Sequence, residues 1–192
     1  MTKIIPLLLL SCTSYQFQVS SNPFAYYDIH SVAIPNMVSY ASISGLSSPI
    51  TREIKLLLSS YPDLAVYSGE QVADAILLGF ITSGDNSDET FVVKERQYVE
   101  SFGIRKFYIP TLLNYDIGLR LVLVKNPKIN GVTKGEASIV FDRFMTFTTV
   151  VERVTDDNSF NFTQNKKIME KSTEELALEM ASYFREVILN AF

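Results

Sequence analysis

The sequence is poor in the residues from which catalytic centres and cross-links are most often made. Its 192 residues hold one cysteine, Cys12, one histidine, His30, and no tryptophan. A single cysteine excludes an intrachain disulfide and any multi-cysteine zinc site. A single histidine removes most triad and imidazole-metal chemistry. Basic charge is also short, 17 Lys and Arg against 21 Asp and Glu, for a net charge of -4. A nucleic-acid partner normally meets a basic face, so none is expected. The longest apolar stretch near the N-terminus, Ile4 to Leu10, is too short for a bilayer, which needs about 20 residues. What remains is ordinary for one globular domain: 47% hydrophobic and 20% charged residues. The 13 Phe and 10 Tyr must supply the large rings of core and surface.

The N-terminus carries the most specific pattern. Lys3 precedes the apolar run, and the small Ser11 stands before Cys12. This is the layout of a secretory signal with a cleavage site. Leu9-Leu10-Ser11-Cys12 resembles the bacterial lipobox, in which the cysteine thiol receives a diacylglycerol and becomes the new N-terminus. The resemblance implies a signal peptide over 1–11, lipidation (including palmitate) at Cys12, a tether over 12–28, and one domain over 29–192. Thr13, which is not acidic, points to the outer membrane, with the domain on its periplasmic side. An acylated cysteine carries more than one chain, which gives stable anchoring where a single chain gives marginal binding.

Beyond the tether, periodicity predicts the elements. Ile29 to Ile34 alternates and stops at Pro35, a strand. Ile50, Ile54, Leu57, Leu58 and Tyr61 recur at helical spacing behind Pro49, and Pro62 closes that helix. Leu64 to Tyr67 reads as a short strand. Asp74 to Ile81 is nearly continuous apolar sequence, a central strand. Residues 84–114 read as an irregular insert, although Phe91 to Val99 has strand character. Tyr115–Lys125 and Thr133–Phe141 flank a reversal at Asn126-Pro127 and Asn130-Gly131 and read as an antiparallel hairpin. Ser172 or Thr173 caps a final helix striped by Leu176, Met180, Phe184, Val187 and Ile188. The expected fold is α+β, a two-layer sandwich of two amphipathic helices packed on a four- or five-stranded mixed sheet.

No catalytic constellation emerges, and neither an enzyme nor a cofactor is expected. His30 reads as a structural or exposed residue of the first strand. Asp85, Asp88 and Glu89 do not have calcium-loop spacing and read as a solvated turn. The glycines form no phosphate-binding motif. Two basic groups remain, Lys94, Arg96, Arg105 and Lys106 in the insert, and Lys125, Lys128 and Lys134 around the hairpin tip. The second set is the better candidate for anionic head groups, because it gathers at one end of a rigid element. The rings of Phe102, Phe107 and Tyr108 either close the core or form a partner patch.

The order of parts now matters. A lipobox-like Cys12, the strand Ser31 to Ile34, the helix from Ile50 and the strand Ala73-Asp74-Ala75-Ile76-Leu77-Leu78-Gly79 follow one another, with an amphipathic helix over Leu176–Leu189. This arrangement resembles the lipopolysaccharide-assembly lipoprotein family, LptE. The resemblance implies a non-enzymatic lipoprotein that plugs a large outer-membrane β-barrel translocon, LptD-like, helps it assemble, and contacts lipopolysaccharide. The alternative is an auxiliary lipoprotein of an ABC-type exporter or secretion assembly. A lipid-anchored hydrolase would need a catalytic set that the motifs do not contain. Replacing Lys125, Lys128 and Lys134 together by Ala is expected to weaken glycolipid binding; unchanged binding removes them as contacts.

Overall fold

A computed structural model of the chain describes residues 21–41, 43–83, 92–100, 103–129, 131, 135–152 and 162–191. Cys12, Phe102, Lys134 and the turn holding Asp85, Asp88 and Glu89 lie outside the described residues. The elements are β1 (Ser31–Ile34), β2 (Val38–Ser39), α1 (Ser47–Ser59), β3 (Ala65–Ser68), β4 (Ala75–Ser83), β5 (Val92–Glu100), β6 (Gly103–Lys125), β7 (Ser138–Glu152) and α2 (Phe162–Ala191). All seven strands join one mixed sheet. Its path is β3-β1-β4-β6-β5, with β2 beside β4 and β7 beside β6. The α+β two-layer expectation holds, and the sheet is wider than four or five strands because β2 and β5 also join it.

The layers follow from side-chain alternation. On β4 and β6 the residues Ala75, Leu77, Ile81, Ile117, Leu119, Leu121 and Leu123 point to one face and are buried there. Both helices cover that face, α1 through Ile50, Ile54, Leu57 and Leu58, and α2 through Leu176, Ala177, Met180, Ala181 and Phe184. Each buried Ile, Leu, Met or Phe side chain here contributes about 1.5–3 kcal/mol relative to exposure, so this single core dominates stability. Gly79 breaks the buried row because the side chain of Met37 fills the space its Cβ would need. Met37 is held in turn by the first turn of α1: its N–H donates to Thr51 Oγ1 at 3.1 Å, and its carbonyl accepts from Ser47 Oγ. Thr51 completes the set by donating to the Ser47 carbonyl at 2.6 Å.

Four expectations need correction. The region 84–114 is not irregular where it is described: Val92–Glu100 and Gly103 onward form a regular antiparallel ribbon, and β6 continues without a break to Lys125. Pro110 hid this continuity. It sits beside the register shift between Val92 and Val93, and bulges are among the few places where a sheet accepts proline. The returning strand is Ser138–Glu152 rather than 133–141, so most of the mixed stretch at 142–162 is strand. Its exposed face carries Phe144 and Val150, which blurs the polar alternation. The last helix starts at Phe162, ten residues before the expected cap. Thr173 lies inside it, buried, with its hydroxyl donating to the Met169 carbonyl at 2.8 Å, the back-bond that lets Thr sit in a helix interior. Packing also begins before residue 29. Phe24 is buried and stacks on Phe141, which meets Phe184 of α2. Asn22 fixes this entry by donating from Nδ2 to the Ile29 carbonyl at 2.7 Å and accepting the Phe24 N–H at 2.9 Å.

Two substitutions test this core. Phe24→Ala is expected to cost about 3–5 kcal/mol in urea unfolding, a cavity cost that a mere tether residue would not show. Thr51→Val leaves the buried Met37 N–H without its acceptor and is expected to cost about 1–3 kcal/mol.

Candidate functional site

The helices cover one face of the sheet, and the other face is built differently. Near β1 it is closed by the segment after β6, where Ile129 packs on Ala33, Ala73 and Ile76, with Leu78 and Val124 alongside. Toward β7 the cover stops. There the alternation of β7 turns Asp142, Phe144, Thr146, Thr148 and Val150 outward while Met145, Phe147 and Val151 point to the core. Ile139, Phe144 and Val150 are 65%, 61% and 52% exposed, so three large apolar side chains stand in water along one strand. Val38 on β2 and Tyr67 on β3, which are not neighbours of β7, are exposed as well. Among the described residues β7 pairs with β6 alone, leaving its other backbone edge open.

This face is rigid rather than loose. The Phe144 ring lies across Gly118 of β6, where a Cβ would come within 2.6 Å of the ring and 2.7 Å of Thr82 Oγ1. Only glycine leaves room for that ring. Beside it, Arg120 reaches diagonally across the ladder and grips Asp142 with two parallel bonds, Nε to Oδ1 at 2.9 Å and Nη2 to Oδ2 at 2.5 Å. The hydrogen bonds from Arg120 hold the Asp142 carboxyl below the usual carboxylate range, and the paired carboxylate raises the guanidinium in return. Thr148 Oγ1 donates to Asp116 Oδ1 at 2.6 Å further along.

The residues singled out from sequence lie elsewhere. His30 precedes β1, exposed, with Nε2 at 3.5 Å from Asp28 Oδ1; its backbone N–H donates to Asp74 at 3.2 Å. Lys125 ends β6, half-buried, and its ammonium donates to the Tyr27 carbonyl at 2.6 Å. That bond straps the chain entry to the base of the sheet. Lys128 is exposed three residues on, at the same end. Lys94, Arg96, Arg105 and Lys106 all fall on the β5–β6 ribbon. Among the described residues no cluster of His, Cys, Asp or Glu could hold a metal ion, and no helix is long and apolar enough to cross a membrane. The outward row of β7 escaped sequence reading, although the spacing Asp142, Phe144, Thr146, Thr148 carries its period of two.

A groove of about 490 Å³ opens between the segment before α1 and the first half of α2, lined by Pro49, Phe162, Met169 and the paired Lys166 and Glu170. It holds no convergent set of catalytic groups.

No family model matches the chain, and no curated protein matches it either. Solved structures with a similar chain path exist. One is a protein of Caulobacter crescentus CB15 described as a lipoprotein, at 10% identity and a TM-score of 0.40, covering 80% of this chain and 85% of that one. Another is rare lipoprotein B from Shewanella oneidensis, at 10% identity and a TM-score of 0.31, with coverage of 82% and 95%. A third is the PelC dodecamer from Paraburkholderia phytofirmans, at 13% identity and a TM-score of 0.36, with coverage of 76% and 86%. Several of these neighbours are bacterial lipoproteins by description. Likenesses this remote carry no functional weight, and the class defined by the chain itself is an α+β domain with one sheet face covered by helices and the other left partly open.

The Arg120–Asp142 pair has a pH signature. A carboxyl depressed in the folded state adds stability above its unfolded value, about 4, and loses it as pH falls through the folded value. Arg120→Ala is therefore expected to lower the urea midpoint slightly at pH 7, since the pair is exposed. The gap to the unsubstituted protein should narrow as pH falls below about 4. A gap independent of pH would assign the effect to packing of the arginine stem.

Proposed function

We propose that the chain is a lipid-anchored, non-enzymatic outer-membrane lipoprotein of LptE type, which docks through the open face and edge of β7 onto a large β-barrel translocon. The observation that carries this reading is the row Ile139, Phe144 and Val150 on an edge strand. Large apolar side chains left exposed along a strand, spaced by Asp142, Thr146 and Thr148 and beside a backbone edge that is open among the described residues, are a common mark of a protein-binding surface. A barrel wall offers the complementary chemistry: a sheet face for the apolar row and strands or loops for the edge. Cys12 would hold the domain at the membrane, and Lys128 with Lys134 would contact lipopolysaccharide during its transfer. Lys125 fits that contact less well than its position in the sequence implied, because its ammonium already serves the Tyr27 carbonyl.

The test is a pull-down of C-terminally tagged protein from detergent-solubilised envelope. A stoichiometric large outer-membrane β-barrel is expected, and Ile139→Asp with Val150→Asp should reduce its recovery at least tenfold without unfolding the domain. Both side chains are more than half exposed, so their replacement costs little stability. Recovery of inner-membrane transporter subunits instead would replace this reading with the exporter alternative. Cys12→Ala is expected to abolish incorporation of labelled palmitate, and continued labelling would place the anchor elsewhere.

A further inference from the structure

The open face is wider than β7. Directly paired residues on neighbouring strands share a face of the sheet. Val38 of β2 pairs with Phe80 of β4, Phe80 with Arg120 of β6, and Arg120 with Phe144 of β7. These residues form one row across four strands. Its outward sense at β2 is fixed by Met37, whose side chain turns the other way to fill the space over Gly79 in the core row. Tyr40 continues β2 by donating its N–H to the Ile81 carbonyl at 2.7 Å, and it is 71% exposed. Beside Phe144 the next row, Thr82, Gly118 and Thr146, carries only small side chains.

Size decides how much of this face a partner needs. From Ile139 to Val150, β7 offers a strip about 37 Å long and about 5 Å wide, roughly 200 Å² in outline. Stable interfaces bury about 800 Å² on each partner, so the β7 strip alone is several times too small. The outward parts of β6, β4 and β2 roughly double the outline. Rings such as those of Tyr40 and Phe144 bring about 150–250 Å² each when fully buried. The composition changes as well, because Tyr, Phe and Arg are the residues enriched at interface centres. Arg120 stands in the middle of the row with its side chain half exposed. Its clasp on Asp142 uses two of its five N–H donors.

We propose that the outward face of β2, β4, β6 and β7 is one contact surface, packed face to face on the wall of the β-barrel partner, with Arg120 at its centre and Tyr40 at its far border. The inference rests on the docking reading above and extends it from one strand to four. It also defines the partner's chemistry: a sheet face of apolar side chains around a carbonyl, hydroxyl or carboxylate acceptor for Arg120. A sheet wall meets all four strands at once. A strand added at the β7 edge would leave Tyr40 uncovered, three strand spacings or about 14 Å from β7. Position favours a partner in the same membrane as the anchor. Lys125, strapped to Tyr27 near the chain entry, lies about 17 Å along β6 from Arg120. Under the lipid-anchor reading, residues 13–21 add at most about 30 Å, which keeps the centre of the face within about 50 Å of the leaflet.

Recovery of the barrel from solubilised envelope is compared between tagged full-length variants, each first checked for an unchanged urea midpoint. Tyr40→Asp is expected to lower recovery about tenfold or more. Leu56→Asp, comparably exposed on the helical layer, should change it by no more than about twofold. The exchange Arg120→Asp with Asp142→Arg keeps an ion pair between β6 and β7 but takes the guanidinium out of the row, and about a tenfold loss is expected there too. Full recovery by Tyr40→Asp or by the exchange, beside loss in the Ile139→Asp, Val150→Asp variant, would confine docking to β7 and overturn the proposal. If the unsubstituted chain recovers no barrel, the docking reading itself fails. Photocrosslinkers at positions 40 and 150 in intact cells then read the face without it. One protein product shared by both positions supports a single surface; unlike products, a product from 150 alone, or none, overturn it. A product of twice the chain's mass would make a second copy the occupant and overturn it equally.

Discussion

The structure depends on one strand. β6 pairs with β4 along one edge from 117 to 125, with β7 along the other from 112 to 125, and with β5 beyond them. Ile117, Leu119, Leu121 and Leu123 of its C-terminal half belong to the core under the two helices. The same strand then leaves the core and becomes half of a projecting ribbon. Core, open face and ribbon are consequently joined through one strand, with a register shift where the ribbon meets the sheet. Breaking the ladder at β6 would separate all three at once.

That constraint explains the asymmetry of the two faces. The helical layer satisfies the apolar rows of β4 and of the core half of β6, and α2 reaches β7 only from that side. On the reverse, Ile129 closes the area near β1, and among the described residues the row on β7 has no comparable cover. Phe144 over Gly118 and the Arg120–Asp142 clasp keep this row flat and preformed. A preformed surface binds without the ordering cost that a flexible one carries. The apolar exposure on β7 is thus a positioned feature of the sheet, not a frayed edge.

The sequence made part of this legible. Helix α1, strand β4 and the core face of β6 follow from apolar spacing alone, because one face of each is buried and the other polar or covered. The remainder was hidden for identifiable reasons. Pro110 disguised a continuous strand as an insert, and the apolar outward residues Phe144 and Val150 erased the polar alternation of β7. The polar first third of α2 shows little stripe before Leu176, and Thr173 there serves as a back-bonded interior residue rather than a cap. Phe24 reads as tether until its ring is placed against Phe141 in the core. Of the basic residues, the set in the supposed insert falls on two paired strands, which spacing could not reveal without the pairing.

The central claim is that the outer face of β7 meets a membrane-embedded protein. Site-specific photocrosslinking in intact cells tests it most directly, with the photoreactive residue placed at Val150 and, for comparison, at Leu178 on the solvent side of α2. A single high-mass crosslink to an outer-membrane β-barrel from position 150, and none from 178, is the result this account requires. Crosslinks from 178 with silence at 150 would show that the helical layer, not the open sheet, carries the interaction, and would contradict it.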